Sequence, residues 1–123
     1  MLNRACTAGL TLSIQVGQVR GWDSERTAAL APGASVFKTL NQIGAEHMAG
    51  PDFPGGRPLM LVAGNDAGRK PTVLKLVEEL GFEAIDAGDL KMARLIEPLG
   101  MLWVRLAYAQ GLGRNIAFAL LHR

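Results

Sequence analysis

With 123 residues the chain has room for one domain of ordinary size and not for two. Its 49% hydrophobic and 20% charged residues are the composition of a globular protein, not a disordered one. The formal net charge is only +2, Arg69-Lys70 is the one adjacent basic pair, and no aromatic residues are interleaved with basic ones, so no nucleic-acid surface is expected.

Single residues narrow the class further. Cys6 is the only cysteine, which leaves no internal disulfide and suits a reducing cytosol, so a cytoplasmic location is expected. His47 and His122 stand far apart with no cysteine or carboxylate at ligand spacing, which argues against a metal site. No run reaches the ~18 apolar residues that a membrane span needs. The opening "MLNRACTAGLTLSIQV" sets Arg4 ahead of apolar residues, as a signal peptide does. However, Thr7, Thr11, Ser13 and Gln15 interrupt the run and no clear small-x-small cleavage site follows, which argues against export.

In chain order, residues 1–22 form a poorly defined lead-in, in which Leu10, Leu12, Ile14 and Val16 alternate with polar partners as in a strand. "DSERTAALAPG" then predicts a short helix, with Asp23 or Ser24 as N-cap, Glu25 in the first turn and a stop at Pro32-Gly33. Val36–Leu40 predicts a buried strand that ends on Asn41. The continuous apolar run Leu59–Ala63, bounded by Pro58 and Gly64, fits a parallel strand covered on both faces. After it, Asp66 is an N-cap candidate and Pro71 falls where a first turn tolerates it. Val73, Leu74, Leu76, Val77 and Leu80 share one helical stripe, and Gly81 suits the position past the helix end. "FEAIDAG" alternates again, so residues 58–88 make a strand–helix–strand unit of the ~30 residues that a βαβ crossover requires.

From Asp89 onward, Leu90, Ala93, Leu95, Ile96, Leu99, Leu102, Trp103, Leu106 and Ala107 recur at three- and four-residue intervals. That pattern predicts a long amphipathic helix, bent at Pro98 or Gly100. Arg94 and Glu97, three apart, read as a solvated ion pair, and Trp103 as core or a helix-packing contact. "GLG" at 111–113 ends the helix, and "RNIAFALLHR" reads as a final short one. Alternating strands and helices predict an α/β fold with a mainly parallel sheet, flanking helices and a long C-terminal helix.

Two glycine-rich stretches invite a nucleotide-binding interpretation and fail it. In "GNDAGRKP" Arg69 precedes Lys70 and Pro71 replaces the hydroxyl residue, so the phosphate-loop pattern is not met. Asp66 would also place negative charge where an anion would bind. A structural strand-to-helix turn is expected instead. "GLGRNIAF" lacks the third glycine, follows a helix and leaves ten residues after Gly113, too few for the rest of a βαβ unit. Lys38, Thr39 and Asn41 are different, because they fall at or near a strand end, where open α/β sheets bind ligands. The Asn41 amide could hold a carboxamide or ring edge, or could satisfy its own backbone in a turn.

The order of segments carries more. "FKTLNQIGAE", "LVAGND", "ELGFEAIDAG" and "ARLIEPLGMLW", in that order over roughly residues 24–123, resemble the C-terminal part of the NADPH-dependent reductases of the deazaflavin coenzyme F-420 and their NADP-binding relatives. The cytoplasmic domain of membrane ferric reductases is similar too. The resemblance implies a Rossmann-type domain in which hydride passes between NADP and a deazaflavin or flavin acceptor, with the cofactors supplying the redox chemistry. It places Thr39, Leu40 and Asn41 beside the nicotinamide. It also implies that Ile43, Gly44, Met48, Leu99 and Trp103 shape the acceptor pocket or a homodimer interface. The family's opening strand and complete glycine fingerprint are not found in this sequence. Residues 1–123 are therefore expected to be a single, truncated NADP-binding domain, partial in its Rossmann sheet, with residues 89–123 as a C-terminal helical segment. The alternative is a non-catalytic remnant that serves dimerisation or interaction.

Overall fold

The computed structural model describes residues 24–123, so the strand pattern at 10–16 and the capping candidate Asp23 lie outside the described residues. Helix α1 (Ser24–Leu30) leads to a two-residue strand β1 (Phe37–Lys38) and a short 3-10 turn (Ala45–His47). Strand β2 (Leu59–Gly64), helix α2 (Lys70–Glu79) and strand β3 (Glu83–Gly88) follow, and then a 3-10 turn (Leu90–Met92) runs into helix α3 (Ala93–Val104) and a π-turn (Arg105–Ala109). This is the mixed α/β architecture the alternation predicts.

The βαβ unit is where the pattern is read most directly. β2 pairs in parallel with β3 from Leu59 opposite Glu83 to Ala63 opposite Gly88, with one irregularity between Val62 and Ala63. Five of its six residues are buried, as a strand covered on both faces must be. Met60, Val62 and Phe82 have no solvent exposure and pack with Val73 and Val77 of α2 and with Ile43. The N-cap of α2 is Arg69 and not the expected Asp66, whose carboxylate instead braces the turn before the helix by accepting the Arg69 amide at 3.0 Å. At its other end Gly81 turns the chain at φ +106°, a conformation that costs other residues more. Arg57 reaches the same helix end and donates to the carbonyl of Glu78 at 2.9 Å, a second bond on an acceptor that the Gly81 amide also meets.

Three further local expectations are corrected. The strand expected over Val36–Leu40 keeps only Phe37 and Lys38, and it runs antiparallel to β2, with Phe37 opposite Gly64 and Lys38 opposite Ala63. It stops because Leu40 turns into left-handed backbone at φ +62°. Arg94 and Glu97 do not pair with each other. Arg94 donates to Glu25 of α1 at 2.9 Å, and Glu97 pairs with Lys38 of β1, so tertiary partners win over helical spacing.

The third correction is at the end of the chain. Residues 114–123 contain no helix. Gly111 and Gly113 take positive φ, and the amides of Leu112 and Gly113 close the helix end on Leu106 and Ala107 at 3.1 and 3.0 Å. The tail then returns to the sheet, where the carbonyl of Phe118 accepts the Leu59 amide at 2.8 Å. Ala117 packs on the core. Helix propensity in "NIAFALL" yields to that packing.

Lys70 at the start of α2 ties the helix to β3, donating to Asp86 at 3.0 Å and to the carbonyl of Gly88 at 2.8 Å. The Gly88 amide and then the Lys70 ammonium hold the Asp86 carboxyl below its ordinary value of 3.8. A depressed carboxyl pKa stabilises the fold above the unfolded-state value and loses that contribution as pH falls through the folded one. Asp86→Asn is therefore expected to melt below wild type near neutral pH, and the gap between the two melting temperatures should close below about pH 4. Thermal melts across pH check this, and a gap that persists in acid would show that the charge is not its source.

Candidate functional site

Where β1 leaves the sheet, β2 loses its backbone partner at Leu61. The side chain of Gln42, 1% exposed, takes that place. Its carbonyl oxygen accepts the Leu61 amide at 2.7 Å and its amide nitrogen faces the Leu61 carbonyl at 3.4 Å. The same nitrogen donates to Oδ1 of Asn41 at 2.8 Å, and Nδ2 of Asn41 donates to the Ile96 carbonyl of α3 at 3.1 Å. An amide relay thus runs from the sheet to the helix.

Gly100 makes the approach possible. A β-carbon there would lie 2.7 Å from the Asn41 carbonyl oxygen and 2.8 Å from its Nδ2, closer than atoms pack. Lys38 and Glu97 add an ion pair across the same seam, partly buried on both sides. Between them, the Thr39 hydroxyl oxygen is buried and has no hydrogen-bond partner. It neighbours Leu40, the single non-glycine residue with positive φ among the described residues. A buried polar atom without a partner and a strained backbone, side by side, are features that concentrate at functional sites.

Of the residues singled out from sequence, Asn41 lies against Ile96 and Gly100, Leu40 packs against the core, and Thr39 keeps its buried hydroxyl without a partner. Ile43 enters the core, and Met48 packs against it. Gly44 sits under Trp103, so that a β-carbon at Gly44 would be 3.1 Å from the indole ring. Trp103 is 5% exposed and donates its indole N–H to the Ile116 carbonyl at 2.8 Å. Leu99 is half-buried on the same helix.

Because β1 is antiparallel, its carboxyl end points to one edge of the sheet and those of β2 and β3 to the other. At that second edge a cleft of about 260 Å³ opens between α1, the approach to β1 and the turn after β2, with Ser35, Asn65, Asp66 and Leu90 in its walls. Sequence reasoning did not single out Ser35 or Asn65, although Asn65-Asp66 stands at a strand-to-helix turn. The Ser35 hydroxyl donates to Asp66, and this bond first, then the Arg69 amide, keeps the Asp66 carboxyl below its usual range. An ionised carboxylate at the start of α2 repels phosphate, in keeping with the failed phosphate-loop pattern.

The relay and the glycine contact make a quantitative expectation. Gly100→Ala should cost about 1–3 kcal/mol by overpacking against Asn41. Asn41→Ala should cost a similar ~1–3 kcal/mol, because Gln42 and Ile96 lose partners in a partly buried seam. Urea unfolding measures both, and the double variant should cost less than the sum, since both changes break one contact.

No protein-family model matches the chain, and no curated protein does. Among solved structures, a protein from Arthrobacter sp. FB24, provisionally described as an F-420-dependent NADP reductase and determined at 1.70 Å, is 38% identical with a TM-score of 0.73. The match covers 80% of this chain and 45% of that protein, so the chain spans less than half of its length. At this identity the likeness is one of sequence as well as fold, and the neighbour is described as a member of the family that the sequence resembles.

Proposed function

We propose that the chain forms the nicotinamide-side and acceptor-side part of an NADP-dependent oxidoreductase that passes hydride between NADP and a deazaflavin or flavin acceptor. The observation that carries this is the 38% identity, over most of the chain, to a protein described as an F-420-dependent NADP reductase. The seam supports it. The buried Thr39 hydroxyl has no partner, and Asn41 spends one amide proton on Ile96 and keeps a second. A carboxamide such as that of nicotinamide offers both a donor and an acceptor to such groups. NADP, when bound, would supply the hydride; Thr39 and Asn41 would orient its ring, with Leu40 fixing their backbone.

On the acceptor side, Ile43, Gly44, Met48, Leu99 and Trp103 provide an apolar surface that excludes water from the reacting ring. Gly44 and Trp103 already touch across the loop and α3. The pyrophosphate is not served in the same way. Among the described residues, the turn that opens α2 carries the ionised Asp66 in place of a phosphate-binding loop. We place the protein in the cytoplasm and, in its working form, as a homodimer.

Calorimetric titration of the chain with NADPH tests this reading. Binding at or below ~1 mM supports it, with Thr39→Val weakening the affinity about 3- to 15-fold if the hydroxyl pairs with the cofactor. No heat up to that concentration would favour the second reading, a non-catalytic interaction module.

One observation supports the association that both readings include. The outward side of α3 and the turn after it is apolar, with Leu95, Leu102, Tyr108 and Leu112 at 68, 48, 58 and 59% exposure. Such a face marks an association surface. Leu102→Glu should then convert a dimer to monomer in sedimentation analysis while the circular dichroism spectrum stays unchanged. A monomeric wild type would remove the homodimer from the first reading and the dimerisation role from the second.

A further inference from the structure

The chain beyond α3 is tied to the molecule at three successive points. Gly111 and Gly113, at φ +72° and +79°, form a hinge where the helix ends. Next comes a polar clasp: Arg114 pairs with Glu46 at 2.6 Å, and Asn115 contacts Nε2 of His47 at 3.0 Å. Then come anchors, where the Ile116 carbonyl accepts the Trp103 indole and Phe118 bonds the Leu59 amide. The clasp lands wholly on the 3-10 turn Ala45–His47, which buries none of its own residues.

We infer that residues 111–118 are a latch for the loop 44–48, and that Arg114 and Asn115 position this loop against Trp103. The inference rests on reading the loop as the acceptor side of the site. The hinge and anchors keep the strap in register. The clasp contacts are solvent-exposed and therefore weak one by one, so the turn Ala45–His47 can lift while Met48 stays on the core. Gly44 leaves room for Trp103 at the start of the loop, Met48 packs on the core at its end, and the His47 and Phe53 rings, with centroids 5.0 Å apart, meet at the turn between them. When the latch opens, the face of Trp103 over Gly44 is uncovered, and an acceptor ring could reach it. When it closes, water is excluded from that face.

The test is amide hydrogen exchange on the full chain. The amides of His47, Met48 and Gly50 bond within the loop, to Gly44, Ala45 and His47, and report its opening. The Glu83 amide, bonded to Pro58 at 2.8 Å, reports the sheet. In the double variant Arg114→Gln, Asn115→Ala the loop amides should exchange about 2- to 10-fold faster with Glu83 unchanged, and Arg114→Lys alone should stay near wild type. Unchanged loop exchange, or equal acceleration at Glu83, would overturn the latch. The acceptor reading fails separately: FMN at millimolar concentration that leaves amide shifts over residues 39–48 unmoved in the unsubstituted chain removes it, whatever the exchange shows.

Discussion

The replacement of a strand by the side chain of Gln42 is the constraint on which the seam depends. β1 lasts two residues, so the middle of β2 would present an unpaired amide and carbonyl at Leu61 in a buried setting. Leaving such groups without partners costs more than any single good contact returns. Gln42 matches both with one amide, and it is itself buried, so its orientation is fixed by Asn41. Asn41 is fixed in turn by Ile96, and Gly100 is the residue that leaves room. A chain of amides, each satisfied only if the next is in place, is rigid in a way that apolar packing is not.

That rigidity explains how strain can persist next door. Leu40 in left-handed backbone and Thr39 with an unmatched hydroxyl are both unfavourable. They are held because β1 on one side and the Gln42 relay on the other leave the connecting residues no alternative path. The Lys38–Glu97 pair closes the same seam from the strand side.

The sequence was most legible where one period dominates. β2, α2 and β3 follow from an apolar run, a helical stripe and an alternation, with Gly81 marking the end of α2 as its chemistry predicts, while its start falls at Arg69 and not at Asp66. It was least legible where a tertiary partner decides. Nothing in "SVFKTLNQ" announces that Leu40 turns or that Gln42 fills a ladder position, because the partner, Leu61, lies 19 residues on. Arg94 and Glu97 have ideal helical spacing and still choose Glu25 and Lys38. "RNIAFALL" has helical composition, but the open amide of Leu59 draws it into extended contact. The candidate residues 39–41 came from resemblance to a family, while the reasons to take them seriously, an orphan hydroxyl and a strained φ, are visible only in three dimensions.

The antiparallel entry of β1 also divides the labour of the sheet. Its carboxyl end brings Thr39–Asn41 to one edge, beside α3, and the carboxyl ends of β2 and β3 bring Asn65, Asp66 and Asp89 to the other. The general rule that ligands collect at strand carboxyl ends therefore points to two places on this small sheet. Electrostatics separates them. The β2 edge carries Asp66 ionised beside Ser35 and the start of α2, a setting hostile to phosphate. The β1 edge offers neutral amides, a hydroxyl and an apolar wall ending in Trp103, a setting suited to an uncharged ring system. A nucleotide bound at the β1 edge would thus present its base-like ring to this chain and turn its phosphates away from it. On the proposed reading the βαβ unit, with Asp66 ionised at the start of α2, contributes no phosphate grip.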